Sequence, residues 1–392
     1  MFGKGIRIFS AFGIPVYIDL TFLIVLPLFT VQIGSAVRAG HEPLGLDVDL
    51  APLRAGALPY LLGLAVVIGL FLSVLIHEYG HALTARRYGV RTKRITLWLL
   101  GGVAQLENMP QQRGAEAVVA IVGPIVSFAL AGLFYGVLLV VPGLPLAARY
   151  VLTYLTWTNV MLAVFNLLPA LPLDGGRVLR SLLALRTDPL RATQVAGAVS
   201  KVLAFALGIT GVFVFHNFWL VLIAFFIYMA VNAETQQSLV EYMLRGLRVR
   251  DLMNREVVSV PPNMTVGELL GLMMRHHHVG FPVLSDGRLV GTVALRDVQG
   301  LPPHTLVEGA MSRTPSTIPE DAPALDAITK MGRSGFGRLI VVDPSGRMSG
   351  IITKTDLMRA IQVRLAATAP PEARALRESV EAEPLEPVRN VP

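Results

Sequence analysis

The 392-residue chain has no cysteine and little charge: Asp, Glu, Lys and Arg make up 16% of it, against 53% apolar residues. The first absence excludes a disulfide scaffold, a thiolate zinc site and a cysteine nucleophile, so any metal must be held by His, Asp or Glu. The second excludes a single water-soluble globule, in which roughly a quarter of residues carry charge. Aromatics are also few, at 7%. The net charge is +7, but there is no basic stripe with interleaved aromatics, which argues against nucleic acid and for an anionic lipid surface.

What is present is unevenly spread. Residues 1–235 are strongly apolar, 236–247 read as a linker, 248–300 and 301–365 as two copies of a soluble α/β unit, and 366–392 as a disordered tail rich in Pro, Ala and Glu. Apolar runs at 17–36, 59–85, 115–141, 150–168 continuing to about 185, 195–215 and 218–233 each approach the roughly 20 residues that cross a hydrocarbon core. The fold class expected is a mainly α-helical polytopic membrane domain of about six transmembrane helices with a small membrane-associated β-hairpin, followed by the soluble pair. The first run contains Asp19 and lacks a small-residue cleavage site, so it reads as a retained helix and not a signal peptide.

Basic residues set the orientation. Lys4 and Arg7 precede the first run; Arg86, Arg87, Arg91, Lys93 and Arg94 follow the second; Arg177, Arg180, Arg186 and Arg191 follow the fourth; Arg245, Arg248 and Arg250 follow the sixth. All fall on one side, which predicts both termini in the cytoplasm. The opposite loops carry only Arg38, Arg54 and Arg149.

Within 59–85 the single formally charged side chain before the terminal arginines is Glu78, inside His77-Glu78-Tyr79-Gly80-His81. Helical spacing stacks His77 and His81 on one face, where two imidazoles can meet one ion. Zinc suits such nitrogen ligands and keeps a water in catalytic sites, and Glu78 stands beside the pair as a general base for that water. At 1.5 Å per residue the motif lies roughly 12 Å short of Ala85, inside the bilayer toward the cytoplasm. Ionisable groups there cost roughly 2.5–3.5 kcal/mol each, so three in five residues require compensation such as a metal.

Two histidines do not close a zinc site. The fourth run ends in Asn166-Leu-Leu-Pro169-Ala-Leu-Pro172-Leu-Asp174-Gly175-Gly176, where prolines and glycines break the helix at depth. Broken backbone is tolerated in a membrane only where protein or water satisfies it. Asp174 is the one carboxylate between Glu116 and Asp188 and is the favoured third ligand; capping the next short helix or pairing with Arg177 are the alternatives.

These paired motifs, with Gly13-Ile-Pro-Val-Tyr-Ile-Asp19 ahead of the first helix, resemble the site-2 protease family of intramembrane zinc metalloproteases over roughly residues 1–235. The resemblance implies His77, His81 and Asp174 as zinc ligands, Glu78 as the base, Asn166 near the scissile peptide, and membrane-spanning proteins as substrates. Asn166 can donate to a developing oxyanion or simply bond a neighbouring helix. Residues 91–107 read as a strand, a turn at Gly101-Gly102 and a second strand, whose edge can pair with an unwound substrate.

The soluble half repeats. Val249-Arg-Asp-Leu-Met253 aligns with Val307-Glu-Gly-Ala-Met311, and Gly291 to Asp297 with Gly350 to Asp356. Each copy reads as strand, helix, two strands, helix, and the pair resembles tandem cystathionine-β-synthase-type (CBS) domains over about 248–364. Such pairs dimerise and bind ATP or another adenine nucleotide. Thr353-x-x-Asp356 matches the family's ribose-binding pattern, whereas Ala294-x-x-Asp297 lacks the hydroxyl, so one nucleotide site is expected rather than two. His276, His277 and His278 lie at a helix end without a carboxylate cluster and read as surface or cleft residues. The expectation is a zinc endopeptidase of a prokaryotic cell membrane, regulated through its CBS pair by nucleotide or by assembly into a dimer or higher oligomer. The alternatives are a CBS-gated metal transporter or an inactive homologue acting as a scaffold.

Overall fold

The computed structural model describes residues 5–41, 49–98, 101–107, 112–334 and 337–368. It divides between Gln236 and Gln237 into two compact units.

The first unit begins with β1 (Ile6–Ala11) and β2 (Ile14–Ile18), joined by Phe12 and Gly13, both at positive φ, as a two-residue hairpin turn demands. Asp19 then caps α1 (Leu20–Ala39), its Oδ1 accepting from the Thr21 N–H at 3.0 Å. α2 (Leu58–Arg87) is followed by β3 (Thr92–Trp98) and β4 (Gly101–Leu106). The four strands form one sheet in the order β1-β2-β3-β4, with β2 and β3 parallel and the outer pairs antiparallel. The expected hairpin is therefore half of a larger sheet. Trp98 pairs with Gly101, so Gly101 and Gly102, expected as the turn, belong to β4, and residues 99–100 lie outside the described residues.

α3 (Ala115–Val140), α4 (Leu146–Asn166), α5 (Asp174–Ala184) and α6 (Pro189–Phe213) follow, and α7 (Phe218–Leu244) begins in this unit and runs past its end at Gln236. By length and composition α1, α2, α3, α6 and α7 can cross a membrane, with mean hydropathy of 1.7 to 2.5 over their most apolar stretches. The sixth expected span, α4, is 21 residues long but diluted by Arg149, Thr153, Thr156, Thr158 and Asn159. The run from 150 toward 185 is two helices, α4 and α5, as its prolines and glycines require. The backbone between them is satisfied by protein: Leu171 N–H donates to Ser200 Oγ at 2.7 Å, and Leu173 N–H to the Ala170 carbonyl at 2.8 Å. The linker expected over 236–247 is helical as far as Leu244, the end of α7.

The second unit holds α8 (Val249–Leu252), α9 (Val266–His276), β5 (Gly280–Ser285), β6 (Arg288–Ala294), α10 (Leu295–Val298), α11 (Val307–Ala310), β7 (Thr317–Pro319), α12 (Ala324–Ser334), β8 (Arg338–Val342), β9 (Met348–Thr353) and α13 (Lys354–Thr368). The first strand of copy one is reduced to a bridge between Val260 and Val283, whereas copy two keeps β7 in parallel with β8. The copies exchange their leading segments. Asn254 pairs with Ile351 of the second copy, and Ser312 with Thr292 of the first, each through two main-chain bonds of 2.8 and 2.9 Å. Neither half of the sequence repeat is thus a closed unit. α13 runs to Thr368, so 366–368 are helical and the rest of the expected tail lies outside the described residues. The three histidines are exposed at the end of α9, with His277 capping it at positive φ.

Candidate metal centre

Two helices bring three candidate ligand atoms to one point. α2 presents His77 and His81 one turn apart, and α5 begins at Asp174. His81 Nε2 lies 3.1 Å from His77 Nε2, and Asp174 Oδ2 lies 3.2 Å from the first imidazole and 3.3 Å from the second. All three residues are at most 9% exposed. Ligands about 2.0–2.1 Å from a tetrahedral zinc stand about 3.3 Å apart, so the spacing already fits one ion.

The remaining ring nitrogens say what these atoms carry. His81 Nδ1 lies 2.8 Å from the Val119 carbonyl, which can only accept, so Nδ1 bears a proton and the neutral imidazole keeps its lone pair on Nε2. His77 Nδ1 lies 2.9 Å from Ser127 Oγ, which can accept in the same way. With both rings neutral and protonated at Nδ1, two nitrogen lone pairs and a carboxylate oxygen face one another in a buried site, a donor set that fits a cation. A Cβ on Gly123 of α3 would fall 2.2 Å from His81 Nε2 and 2.6 Å from His77 Nε2, inside the space these ligand atoms enclose. Among the described residues this is the one cluster of three such groups able to share a metal.

Asp174 does not cap α5, which has no side-chain cap, and its carboxylate lies against the two histidines. Glu78 is held beside the cluster by the sheet, its Oε2 accepting from the Ala104 N–H of β4 at 2.9 Å. Gly102 leaves it room, since a Cβ there would meet Glu78 Cγ at 2.5 Å. Asn166 closes α4 and donates from Nδ2 to the Leu162 carbonyl of its own helix at 2.9 Å; the structure shows neither an interhelical bond nor a contact with the cluster for it.

Sequence reasoning missed the contribution of α3. Val119, Gly123 and Ser127 all lie on it, and Ser127, fully buried, is its one hydroxyl-bearing aliphatic side chain. A solitary serine in an apolar span was the available signal.

In the second unit Thr353 and Asp356 are bonded to each other at the start of α13. Thr353 Oγ1 and N–H donate to Asp356 Oδ2 at 2.6 and 2.9 Å, and Asp356 N–H returns to Thr353 Oγ1 at 3.2 Å. This is a capping box. Asp297 accepts from the Ala294 N–H at 2.8 Å in the equivalent place without a hydroxyl.

The sequence matches Peptidase family M50 over residues 65–151 and 144–209, and the CBS domain over 249–301 and 307–363. A zinc metalloprotease of Methanocaldococcus jannaschii is 32% identical over 92% of this chain and 96% of its own length. Among solved structures, the site-2 protease of the same organism is 31% identical, covering 59% of this chain and 95% of that one at a TM-score of 0.41. A CBS protein, CBSX2, solved in complex with AMP, is 28% identical over 30% of this chain and 99% of its own, at a TM-score of 0.29. The two family models and a relative matching nearly end to end give one conclusion: the chain belongs to the site-2 protease group of Peptidase family M50, zinc metalloproteases, and carries a tandem CBS pair.

Proposed function

We propose that this protease cuts peptide bonds of membrane-spanning or membrane-associated proteins within the bilayer, using zinc held by His77, His81 and Asp174. The observation that carries the reading is the convergence of two imidazole nitrogens and a carboxylate oxygen, with Glu78 alongside the histidines on a helix apolar enough to span a membrane.

Zinc, when bound, supplies Lewis acidity to a water and to the scissile carbonyl. Glu78 takes the proton of the attacking water and returns it to the leaving amine. The N–H of Ala104 orients that carboxylate. A helical substrate hides its amides, so it must unwind before attack; an unwound stretch lying along the outer edge of β4 pairs by main-chain bonds and brings a carbonyl beside Glu78. Asn166 reaches the oxyanion by leaving its intrahelical bond. Water arrives from the cytoplasmic side, where both termini lie.

The CBS pair regulates this activity through one adenine nucleotide site at Thr353 and Asp356, with Asp297 facing the cleft from the other copy, or through assembly of two or more copies. Ligand binding shifts the protease only if it favours one arrangement of the pair over another. A transporter would need liganding groups strung along a path; among the described residues they gather at one place.

Glu78→Gln tests the catalytic reading. Cleavage of a coexpressed membrane substrate should fall by about 10²-fold or more while zinc content stays near one per chain, and the trapped substrate should co-purify. Undiminished cleavage would remove Glu78 from the mechanism.

A further inference from the structure

α5 is 11 residues long and begins with Asp174, directly after the broken segment. A free helix of that length is marginal, so Asp174 is only as well placed as the contacts that hold α5. One of those contacts is unusual in a membrane domain. Arg180, 9% exposed, bridges two carboxylates on two other helices: its Nε donates to Glu116 Oε1 of α3 at 3.1 Å, and one terminal nitrogen to Glu234 Oε1 of α7 at 2.8 Å. Beside it, Ser181 Oγ accepts from the Ala117 N–H at 3.2 Å. The basic cluster to which the sequence assigns Arg180 reads as a cytoplasmic marker, but the structure turns this member inward.

We propose that Arg180 is a positioning residue for the metal centre: by locking α5 to α3 and α7 it sets Asp174 at the distance from His77 and His81 that one ion requires. This rests on the reading of those three residues as ligands. The same helix supplies both references. Val119 and Ser127 of α3 orient the imidazoles, and Glu116, one turn before Val119, holds the arginine six residues after Asp174. Histidines and aspartate are thereby registered to a common strut. The chemistry selects arginine, because a planar guanidinium reaches two carboxylates in fixed directions whereas an ammonium is a single point of charge. Stability alone does not account for the triad, since buried ion pairs are commonly no better than apolar packing of the same volume, and a charge in a spanning domain is costly. Geometric specification does.

The test uses the full chain in phosphatidylethanolamine and phosphatidylglycerol vesicles. It measures zinc affinity by chelator competition and the visible absorption of the cobalt-substituted protein, which reports ligand geometry. Arg180→Met should weaken zinc about 10- to 100-fold, the range for partners that orient ligands, and alter the cobalt spectrum; Arg180→Lys should recover part of both. Should Arg180→Met fail to fold, Glu116→Gln and Glu234→Gln, which leave the arginine and one carboxylate, should each give a smaller loss with the same spectral change. Unchanged affinity and spectrum in the folded variants would overturn the proposal, as would lowered thermal stability with an unaltered spectrum. Asp174→Asn separates the two claims: if it binds zinc like the parent, the ligand reading fails and the clamp with it, whereas if it loses zinc while the Arg180 variants do not, the clamp alone fails.

Discussion

A glycine decides whether there is room for the ion. Gly123 stands where any side chain would enter the space between His77 Nε2 and His81 Nε2. In Gly123→Ala the helix gains about 1 kcal/mol of propensity, but the two imidazoles must swing away from the new methyl, so the variant should keep its helical content yet bind almost no zinc. Metal analysis beside circular dichroism checks this, and full zinc content in the variant would show that the ion sits elsewhere. Within this small region the sequence was informative in proportion to how local the chemistry is. His77, Glu78 and His81 are legible because four residues is one helical turn. Asp174 is legible because it stands at a break. Ser127 and Val119 act across a helix interface, and no spacing within α2 points to them.

Among elements, β4 has the least expected part. It is an edge strand, and its Ala104 N–H is spent on Glu78 rather than on β3. Proline is tolerated at an edge position whose N–H faces outward. Ala104→Pro should therefore leave the sheet and the zinc in place while reducing cleavage about 10- to 100-fold, through loss of the bond that orients the base. Cleavage at the parent rate would make the contact incidental. The sheet itself was half visible: β3 and β4 show as strand patterns, but β1 and β2 do not. Ile14 to Ile18 runs straight into the apolar stretch of α1, and only the capping Asp19 divides strand from helix. α4 and α5 were legible as a broken run because proline and paired glycine are physical stops. The clamp on α5 was not, since Glu116, Arg180 and Glu234 are far apart in sequence and Arg180 reads alone as one of a basic cytoplasmic cluster.

At the scale of the whole molecule the chain pairs an apolar unit with a soluble one, and α7 is continuous across the boundary between them. The repeat announced the CBS pair, but the exchange of leading segments was hidden, because alignment of copies shows similarity and not which copy each segment pairs with. That exchange makes the two copies one cooperative body. In it Thr353 closes a capping box, and its hydroxyl is the one proposed to meet a ribose. Thr353→Ala should weaken adenine nucleotide binding, read by calorimetry on the full chain, and lower the melting temperature of the soluble unit by the loss of a cap worth about 1 kcal/mol. A lowered melting temperature with an unaltered isotherm would leave Thr353 as a cap and move the nucleotide elsewhere.

The claim on which the rest depends is that one zinc ion is shared by His77, His81 and Asp174, and X-ray absorption at the zinc edge on the purified full chain tests it most directly. The account predicts one zinc per chain in a shell of nitrogen and oxygen at about 2.0–2.1 Å containing two imidazoles, with an oxygen lost and occupancy reduced in Asp174→Asn. A zinc shell without two imidazoles, or one that Asp174→Asn leaves unchanged, would contradict it.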